Sequence, residues 1–175
     1  MTFSFLILGL VTAQRLGELI LARRNTLRLL AAGAREQGAS HYPLMVAMHA
    51  CWLAGLWLLA GRRAVILPWL ALFVLLQVLR LWIIATLGPR WTTRIIVPAN
   101  GALVRGGPYR FLRHPNYVVV AGEIAILPLV FGLLLYAAVF SAANTVVLWI
   151  RIRAEDRALS TSGGQPPDNR EGSGR

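Results

Sequence analysis

The sequence predicts an all-α protein that crosses a membrane with about five transmembrane helices. Hydrophobic residues make up 57% of the 175 residues and charged residues 14%, well below the ~25% of soluble domains. Apolar runs near the length of about 20 residues that spans a bilayer recur along the chain. The 18 basic residues are all arginines, and most of them lie between those runs. A chain of this length holds one domain.

Three apolar segments are each predicted to form one transmembrane helix. Their limits are about Phe3 to Leu21, Tyr42 to Ala60 and Ala64 to Leu87. The first segment is not predicted to be a cleaved signal peptide, because it lacks a positively charged start and is interrupted by Arg15 and Glu18.

A fourth apolar region, Val118 to Ile150, is too long for one span and short for two spans with a loop. Pro128 and Gly132, in its middle, are natural helix breakers. We therefore predict a tight helical hairpin, with one helix from Pro115 to about Leu127 and another from about Leu133 to Leu159.

The membrane domain is predicted to cover residues 1–159. The remaining segment, residues 160–175, consists mainly of Gly, Ser, Pro and charged residues. Such a segment can bury almost no apolar surface, so we predict a disordered cytoplasmic tail.

The distribution of arginines predicts the orientation of the helices. If the N-terminus lies outside, fourteen arginines fall in cytoplasmic segments and two, Arg62 and Arg63, in an external segment. Positive charge collects on the cytoplasmic side of membrane proteins. This explains the net charge of +11 without nucleic-acid binding, and it predicts a cytoplasmic C-terminus. The lack of lysine and the abundance of Ala and Leu are typical of a GC-rich bacterial genome, which favours a bacterial inner membrane.

Four charged residues lie inside the predicted spans: Arg15, Glu18, Arg80 and Glu123. Charges within a membrane are costly and are usually paired or functional. Arg15 and Glu18 are three residues apart and can meet on one helix face, and Arg80 can pair with Glu123 between helices. The sequence leaves open whether these pairs are structural or line a substrate pocket.

His41, His49 and Cys51 are interpreted as interfacial or packing residues. The two histidines are eight residues apart and have no carboxylate or cysteine partner at ligand spacing, so we predict no metal site. A single cysteine in an apolar stretch is typical of an inert packing thiol.

The most informative segment runs from Gly101 to Tyr117, and it is unusually polar and Gly-rich for a membrane protein. Its Gly106-Gly107-Pro108 sequence favours a turn, and Pro115 suits the first turn of the next helix. His114 and Tyr117 are three residues apart and can face one pocket at this helix start. Free backbone N–H groups there favour an anionic ligand.

A second polar cluster follows the hairpin. Arg151 and Glu155 are four residues apart and share a helix face. A tight hairpin brings this helix back beside His114, so we expect the two clusters to converge at the cytoplasmic surface. The alternative is a belt of Tyr and Arg at headgroup depth. That alternative is favoured for four other arginines: Arg110, Arg113, Arg153 and Arg157.

The chain contains Arg-His-Pro-x-Tyr, then a hydrophobic hairpin, then Arg-x-x-x-Glu-(Glu/Asp)-x-x-Leu. This combination resembles the isoprenylcysteine carboxyl methyltransferases and their bacterial relatives, and membrane methyltransferases of phospholipids share it more loosely. The resemblance implies that S-adenosylmethionine binds on the cytosolic side, within about residues 100–159.

Carried over by position, the resemblance implies a set of cofactor-binding residues and one catalytic, substrate-facing residue, Arg151. The cofactor set is Leu103, Val104, Tyr109, His114, Pro115, Asn116, Tyr117 and Glu155. Two departures from the family pattern occur: the Asn-Pro of the hairpin turn is Leu127-Pro128 here, and the Glu-Glu pair is Glu155-Asp156. Neither departure removes a proposed ligand.

These residue types suit methyl transfer, which needs mainly alignment of donor and acceptor. Glu155 can accept hydrogen bonds from hydroxyl or ammonium groups of the cofactor. The rings of Tyr109 and Tyr117 offer faces to the adenine or the sulfonium. Arg151 can hold an anionic oxygen of the acceptor.

The first half of the chain carries a further resemblance that bears on the class of acceptor. Its Gly33-Ala-Arg-Glu36 and His41-Tyr-Pro43 segments are more similar to a bacterial branch associated with polyketide-derived lipids. That similarity implies the hydroxyl of an alkylpyrone or phenolic lipid, whereas the wider family implies a prenylcysteine-like carboxylate. Either acceptor is lipophilic, as a pocket open to the bilayer requires.

The sequence is also compatible with two other functions. A phospholipid N-methyltransferase would bind an amine, so an acid rather than Arg151 should dominate its acceptor side. A non-enzymatic membrane transport or assembly protein would account for the four intramembrane charges. It would leave the converging polar clusters unexplained.

Overall fold

The computed structural model describes residues 2–39, 42–61, 63–97, 104 and 106–162. These residues form five α-helices, two short 3-10 helices (Gly88–Arg90 and Gly107–Arg110) and a two-stranded ladder. The helices are α1 (Thr2–Ala31), α2 (Tyr42–Ala60), α3 (Leu67–Leu87), α4 (Pro115–Val130) and α5 (Leu134–Ser162), and the strands are β1 (Arg35–Gln37) and β2 (Ile95–Val97).

Four of the helices, α1, α2, α3 and α5, are long and apolar enough to cross a membrane. Helix α4 has 16 residues and is about 24 Å long, a little shorter than the ~30 Å hydrocarbon core. The prediction of an all-α membrane protein is therefore confirmed, and a crossing by α4 as the fifth span stays a prediction.

Several predicted helix ends are wrong by a few residues or more. Helix α1 continues ten residues past Leu21, because nothing breaks it before Gly33 with its φ of 84°. Helix α4 passes through Pro128 and ends at Val130. Pro128 lacks the N–H for one helical hydrogen bond, and α4 ends two residues after it.

The turn of the hairpin is formed by Gly132, whose φ of 68° lies in the left-handed region that favours glycine. Helix α5 ends at Ser162, so the first three residues assigned to the tail are helical. Residues 163–175 lie outside the described residues, as does His41.

The antiparallel ladder between β1 and β2, in which Glu36 lies opposite Ile96, was not predicted from the sequence. Ala154 of α5 packs against the buried side chains of Ile95 and Val97. The ladder therefore joins the α1–α2 and α3–α4 connections to the end of α5 that carries Arg151 and Glu155.

The outer surface of the bundle is apolar, as expected for contact with lipid. Leu58, for example, is 85% exposed. Cys51, interpreted from the sequence as a packing thiol, is also exposed on α2. The core between the helices contains Leu8, Trp52, Leu56, Phe73, Ile124, Leu127 and Phe131.

The four intramembrane charges meet in one buried network between α1, α3 and α4. Glu18 Oε2 lies 2.9 Å from Arg15 Nη1 and 2.7 Å from Arg80 Nη2. Glu123 lies 2.7 Å from both arginines. The predicted Arg15–Glu18 and Arg80–Glu123 pairs are confirmed, and they belong to one neutral assembly rather than to two separate pairs.

Candidate active site

All five helices border a cavity of about 320 Å³. Its walls are mostly apolar, and its polar groups lie at two levels. Tyr117, Thr93 and Arg151 line the level nearer the ladder, whereas Arg80, Glu123 and Asn144 line the inner level. Asn144 precedes Arg151 by seven residues on α5, so the two levels are about 10 Å apart.

Arg151 is held at the cavity wall by groups from three other parts of the chain. Its side chain is buried, with 7% of the residue exposed. Its Nε donates to the Tyr117 hydroxyl over 3.0 Å, its Nη2 to the Thr93 carbonyl over 2.7 Å, and its Nη1 to the Met45 sulfur over 3.0 Å. The guanidinium orientation is therefore fixed.

The Tyr117 hydroxyl joins Arg151 to Glu155, because it accepts from the arginine and donates to Glu155 Oε2. The His114 ring stacks on that of Tyr117 with centroids 5.3 Å apart. Its Nδ1 lies 3.9 Å from Glu155 Oε2. The predicted convergence of the two polar clusters is confirmed, whereas their roles in binding and catalysis stay predictions.

Two other predicted site residues, Tyr109 and Pro115, lie just before and at the start of α4. Tyr109 packs against a cluster that includes Ile83 and Trp91, and its partial burial raises the pKa of its phenol to about 12. The phenol is therefore neutral at physiological pH. Pro115 is buried as the first residue of α4.

Three other predicted site residues are not among the contacts described for His114, Tyr117 and Glu155. Asn116 lines the cavity, and its Oδ1 is buried without a hydrogen bond to any of the described residues. Val104 is half-buried. Leu103 lies outside the described residues.

The glycine predicted to form the turn before α4 has a packing reason as well as a conformational one. Gly107 has a φ of 54°. A Cβ atom there would lie 2.5 Å from Thr86 Oγ1. Only glycine therefore lets this turn lie against α3, where it places Tyr109.

Sequence reasoning missed several groups that shape the cavity. Met45 and Thr93 contact Arg151, but they have no spacing relation to it and no chemical signal. Asn144 is only 1% exposed, and an isolated amide in an apolar helix is a signal that could have found it. His49, interpreted as a packing residue, lines the cavity.

The helical bundle and the buried arginine beside a polar cluster define an integral membrane protein with a ligand-sized cavity. Residues 69–161 match the Isoprenylcysteine carboxyl methyltransferase (ICMT) family. The chain is 37% identical over 169 residues to the uncharacterized protein YpbQ of Bacillus subtilis (strain 168), covering 89% of this chain and 95% of that relative. No solved structure matches the chain.

The chain therefore belongs to the isoprenylcysteine carboxyl methyltransferase family. Members of this family are membrane methyltransferases that use S-adenosylmethionine as methyl donor. The matched segment runs from α3 to the end of α5 and includes Tyr109, His114, Tyr117, Arg151 and Glu155.

Proposed function

We propose that this protein is an S-adenosylmethionine-dependent O-methyltransferase that acts on a lipophilic acceptor in the membrane. The observation that carries the proposal is the position of Arg151. It is buried between the apolar cavity and the polar cluster of His114, Tyr117 and Glu155.

The polar cluster contains groups that can form hydrogen bonds with the cofactor. The Glu155 side chain is 30% exposed, so its carboxylate can accept further hydrogen bonds from hydroxyl or ammonium groups. The other residues proposed to hold the cofactor are Leu103, Val104, Tyr109, His114, Pro115, Asn116 and Tyr117. When bound, S-adenosylmethionine supplies an electrophilic methyl group.

Arg151 has the donors to hold an acceptor oxygen. A guanidinium carries five N–H groups, and the described residues engage three of them. The bond from Nη1 to the Met45 sulfur is weak, because a thioether is a poor acceptor. An anionic oxygen entering the cavity would form a stronger, charge-assisted bond in its place.

The charges of the cavity favour an oxygen acceptor over an amine. Glu18 and Glu123 line the cavity, but both carboxylates are bound by Arg15 and Arg80. An ammonium group would have to displace an arginine to reach them. A phospholipid N-methyltransferase is therefore less consistent with this site.

The acceptor is a lipophilic molecule with an acidic oxygen, either a prenylcysteine-like carboxylate or the hydroxyl of an alkylpyrone or phenolic lipid. The apolar walls of the cavity suit its hydrocarbon part, and the similarity of the first half to the polyketide-lipid branch favours the hydroxyl. The site faces the cytoplasm, and the membrane is a bacterial inner membrane.

Cofactor binding by the detergent-purified protein tests the proposal. S-adenosylmethionine should raise the melting temperature, and both His114→Ala and Glu155→Ala should abolish that shift by removing polar contacts. Glu36→Ala is a matched control, because it removes an acidic partner of Arg94 near the ladder, outside the proposed site. Unchanged calorimetric affinity in both site variants would contradict the assignment.

The acceptor class is tested by methyl transfer from labelled cofactor to prenylcysteines, alkylpyrones, alkylphenols and phosphatidylethanolamine. Labelling of the oxygen acceptors is expected. Labelling of the amine lipid alone would overturn the proposal.

A further inference from the structure

His49 lies at the acceptor cavity and is held in one orientation. It follows Met45, whose sulfur contacts Arg151, by four residues on α2. His49 therefore lies about one helical turn further from the ladder end of the bundle than Met45. Both residues line the cavity. The ring nitrogen Nδ1 is 2.8 Å from the Met45 carbonyl oxygen.

This contact fixes the tautomer of the neutral ring. A carbonyl oxygen only accepts hydrogen bonds, so the proton of the imidazole must lie on Nδ1 and the lone pair on Nε2. Because Nδ1 is turned back to the helix backbone, the Nε2 edge of the ring points away from that carbonyl, and His49 is one of the residues that line the cavity. Among the described residues, the contact with Met45 is the one hydrogen bond that this ring makes.

The cavity wall therefore carries two chemically complementary groups, Arg151 and His49. Arg151 offers N–H donors that stabilise an oxygen anion, and His49 offers a lone pair that can take a proton. We propose that His49 Nε2 is the general base that removes the proton of a hydroxyl acceptor, an inference that rests on the O-methyltransferase function proposed above.

The step balances in atoms and charge. The O–H bond of the acceptor breaks and its proton passes to Nε2. The electron pair left on oxygen forms the O–CH3 bond while the S–CH3 bond of the donor breaks and its pair stays on sulfur. A neutral imidazole and a sulfonium become an imidazolium and a thioether, and the imidazolium then loses its proton to water.

A base at this position favours a hydroxyl over a carboxylate acceptor, because a carboxylate is already ionised at neutral pH. The buried network on the same cavity contains two arginines and two glutamates, so its formal charges sum to zero. The titratable and charged groups that face the same cavity are Arg15, Glu18, Tyr42, Arg80, Tyr117, Glu123 and Arg151.

The variant His49→Asn tests the base without removing the contact with Met45. An asparagine amide nitrogen can occupy the position of Nδ1 and donate to the same carbonyl, but it supplies no lone pair at the position of Nε2. Turnover with a weakly acidic alkylphenol should fall about 100-fold or more. Turnover with an alkylated nitrophenol that is ionised at the assay pH should change little.

A second measurement needs no cofactor and no turnover. An alkylated nitrophenol bound to the wild-type protein should show its phenolate absorption band at lower pH than when bound to His49→Asn or His49→Gln. Calorimetric affinity for S-adenosylmethionine should match wild type in both variants, which verifies that each is folded.

The outcomes separate this inference from the proposed function. Equal losses on both phenols with an unchanged phenolate band would assign His49 a structural role and overturn the inference alone. Failure of the wild-type protein to methylate any oxygen acceptor would overturn both. Selective loss on the weak acid, together with a shifted band, supports both.

Discussion

The Tyr117 hydroxyl links the two charged side chains of the site. It accepts from the Arg151 guanidinium and donates to the Glu155 carboxylate, so a positive and a negative group share one neutral bridge. Arg151 also lines the cavity.

We predict that Arg151→Ala reduces turnover while cofactor affinity stays close to wild type. Losing a charge-assisted hydrogen bond costs about 1.5–3 kcal/mol, which is roughly ten- to a hundredfold in rate if the bond acts in the transition state. Arg151→Lys should recover only part of the activity, because a point charge replaces a planar fork.

The check is steady-state methyl transfer together with calorimetric cofactor affinity for the same protein preparations. Full activity of Arg151→Ala on an oxygen acceptor would contradict the role of the arginine. An equal loss of cofactor affinity would instead place Arg151 on the cofactor side of the site.

The residues of the polar cluster could be predicted from the sequence because short-range spacing determines which of them share a face. His114 and Tyr117 are three residues apart, and Arg151 and Glu155 are four apart. The partners of Arg151 could not be predicted. Met45 and Thr93 are 106 and 58 positions away from it, and a single sequence carries no record of such contacts.

Among the elements, the buried charges hold α1, α3 and α4 at fixed positions. Arg80 contacts both carboxylates of the network, with Nε and Nη2 on Glu18 and Nη1 on Glu123. Gln14 and Gln77 bond to each other and to those carboxylates. Hydrogen bonds and ion pairs depend on orientation, whereas contacts between apolar side chains depend on it much less. The network therefore fixes how α1, α3 and α4 are positioned relative to one another.

We predict that Arg80→Met is strongly destabilising, because two buried carboxylates then share the single arginine Arg15. Breaking a buried ion pair costs about 3–5 kcal/mol. The double variant Arg80→Met/Glu18→Gln restores a neutral network and should recover part of that stability. Thermal unfolding in detergent measures both, and a double variant less stable than the single one would show that net charge is not the cause.

The helices could be predicted where an apolar run of membrane-spanning length ends at helix-breaking residues. The limits of α2, for example, agree with the predicted segment. The ladder was not predictable. Its strands have three residues each, too few for an alternating pattern to stand out. Their pairing depends on the ends of α1 and α3 lying close together, which is a property of the packed bundle.

For the whole molecule, hydrogen bonds between the connections show which ends of the helices lie at one level. The Val130 carbonyl at the end of α4 accepts from the Ile66 amide, just before α3, over 2.8 Å. The Ser4 hydroxyl at the start of α1 donates to the Arg63 carbonyl over 2.8 Å. The start of α1, the α2–α3 connection and the hairpin turn therefore lie at the same end of the bundle.

This arrangement agrees with the uneven distribution of arginines along the chain. If α3 crosses the membrane, α4 returns to the level at which α3 began, despite its 16 residues. The opposite end carries the ladder, the polar cluster and the arginine-rich segments. We predict five spans, with the N-terminus outside and the polar cluster in the cytoplasm.

Reporter fusions measure this orientation. A reporter active only in the periplasm should be silent when fused after Arg157 and active when fused after Arg63, because positive charge is retained on the cytoplasmic side. Activity at Arg157 together with silence at Arg63 would mean that the orientation is reversed. Activity at both positions would mean that α4 and α5 do not both cross, and it would place the proposed cofactor site away from the cytosolic supply of S-adenosylmethionine.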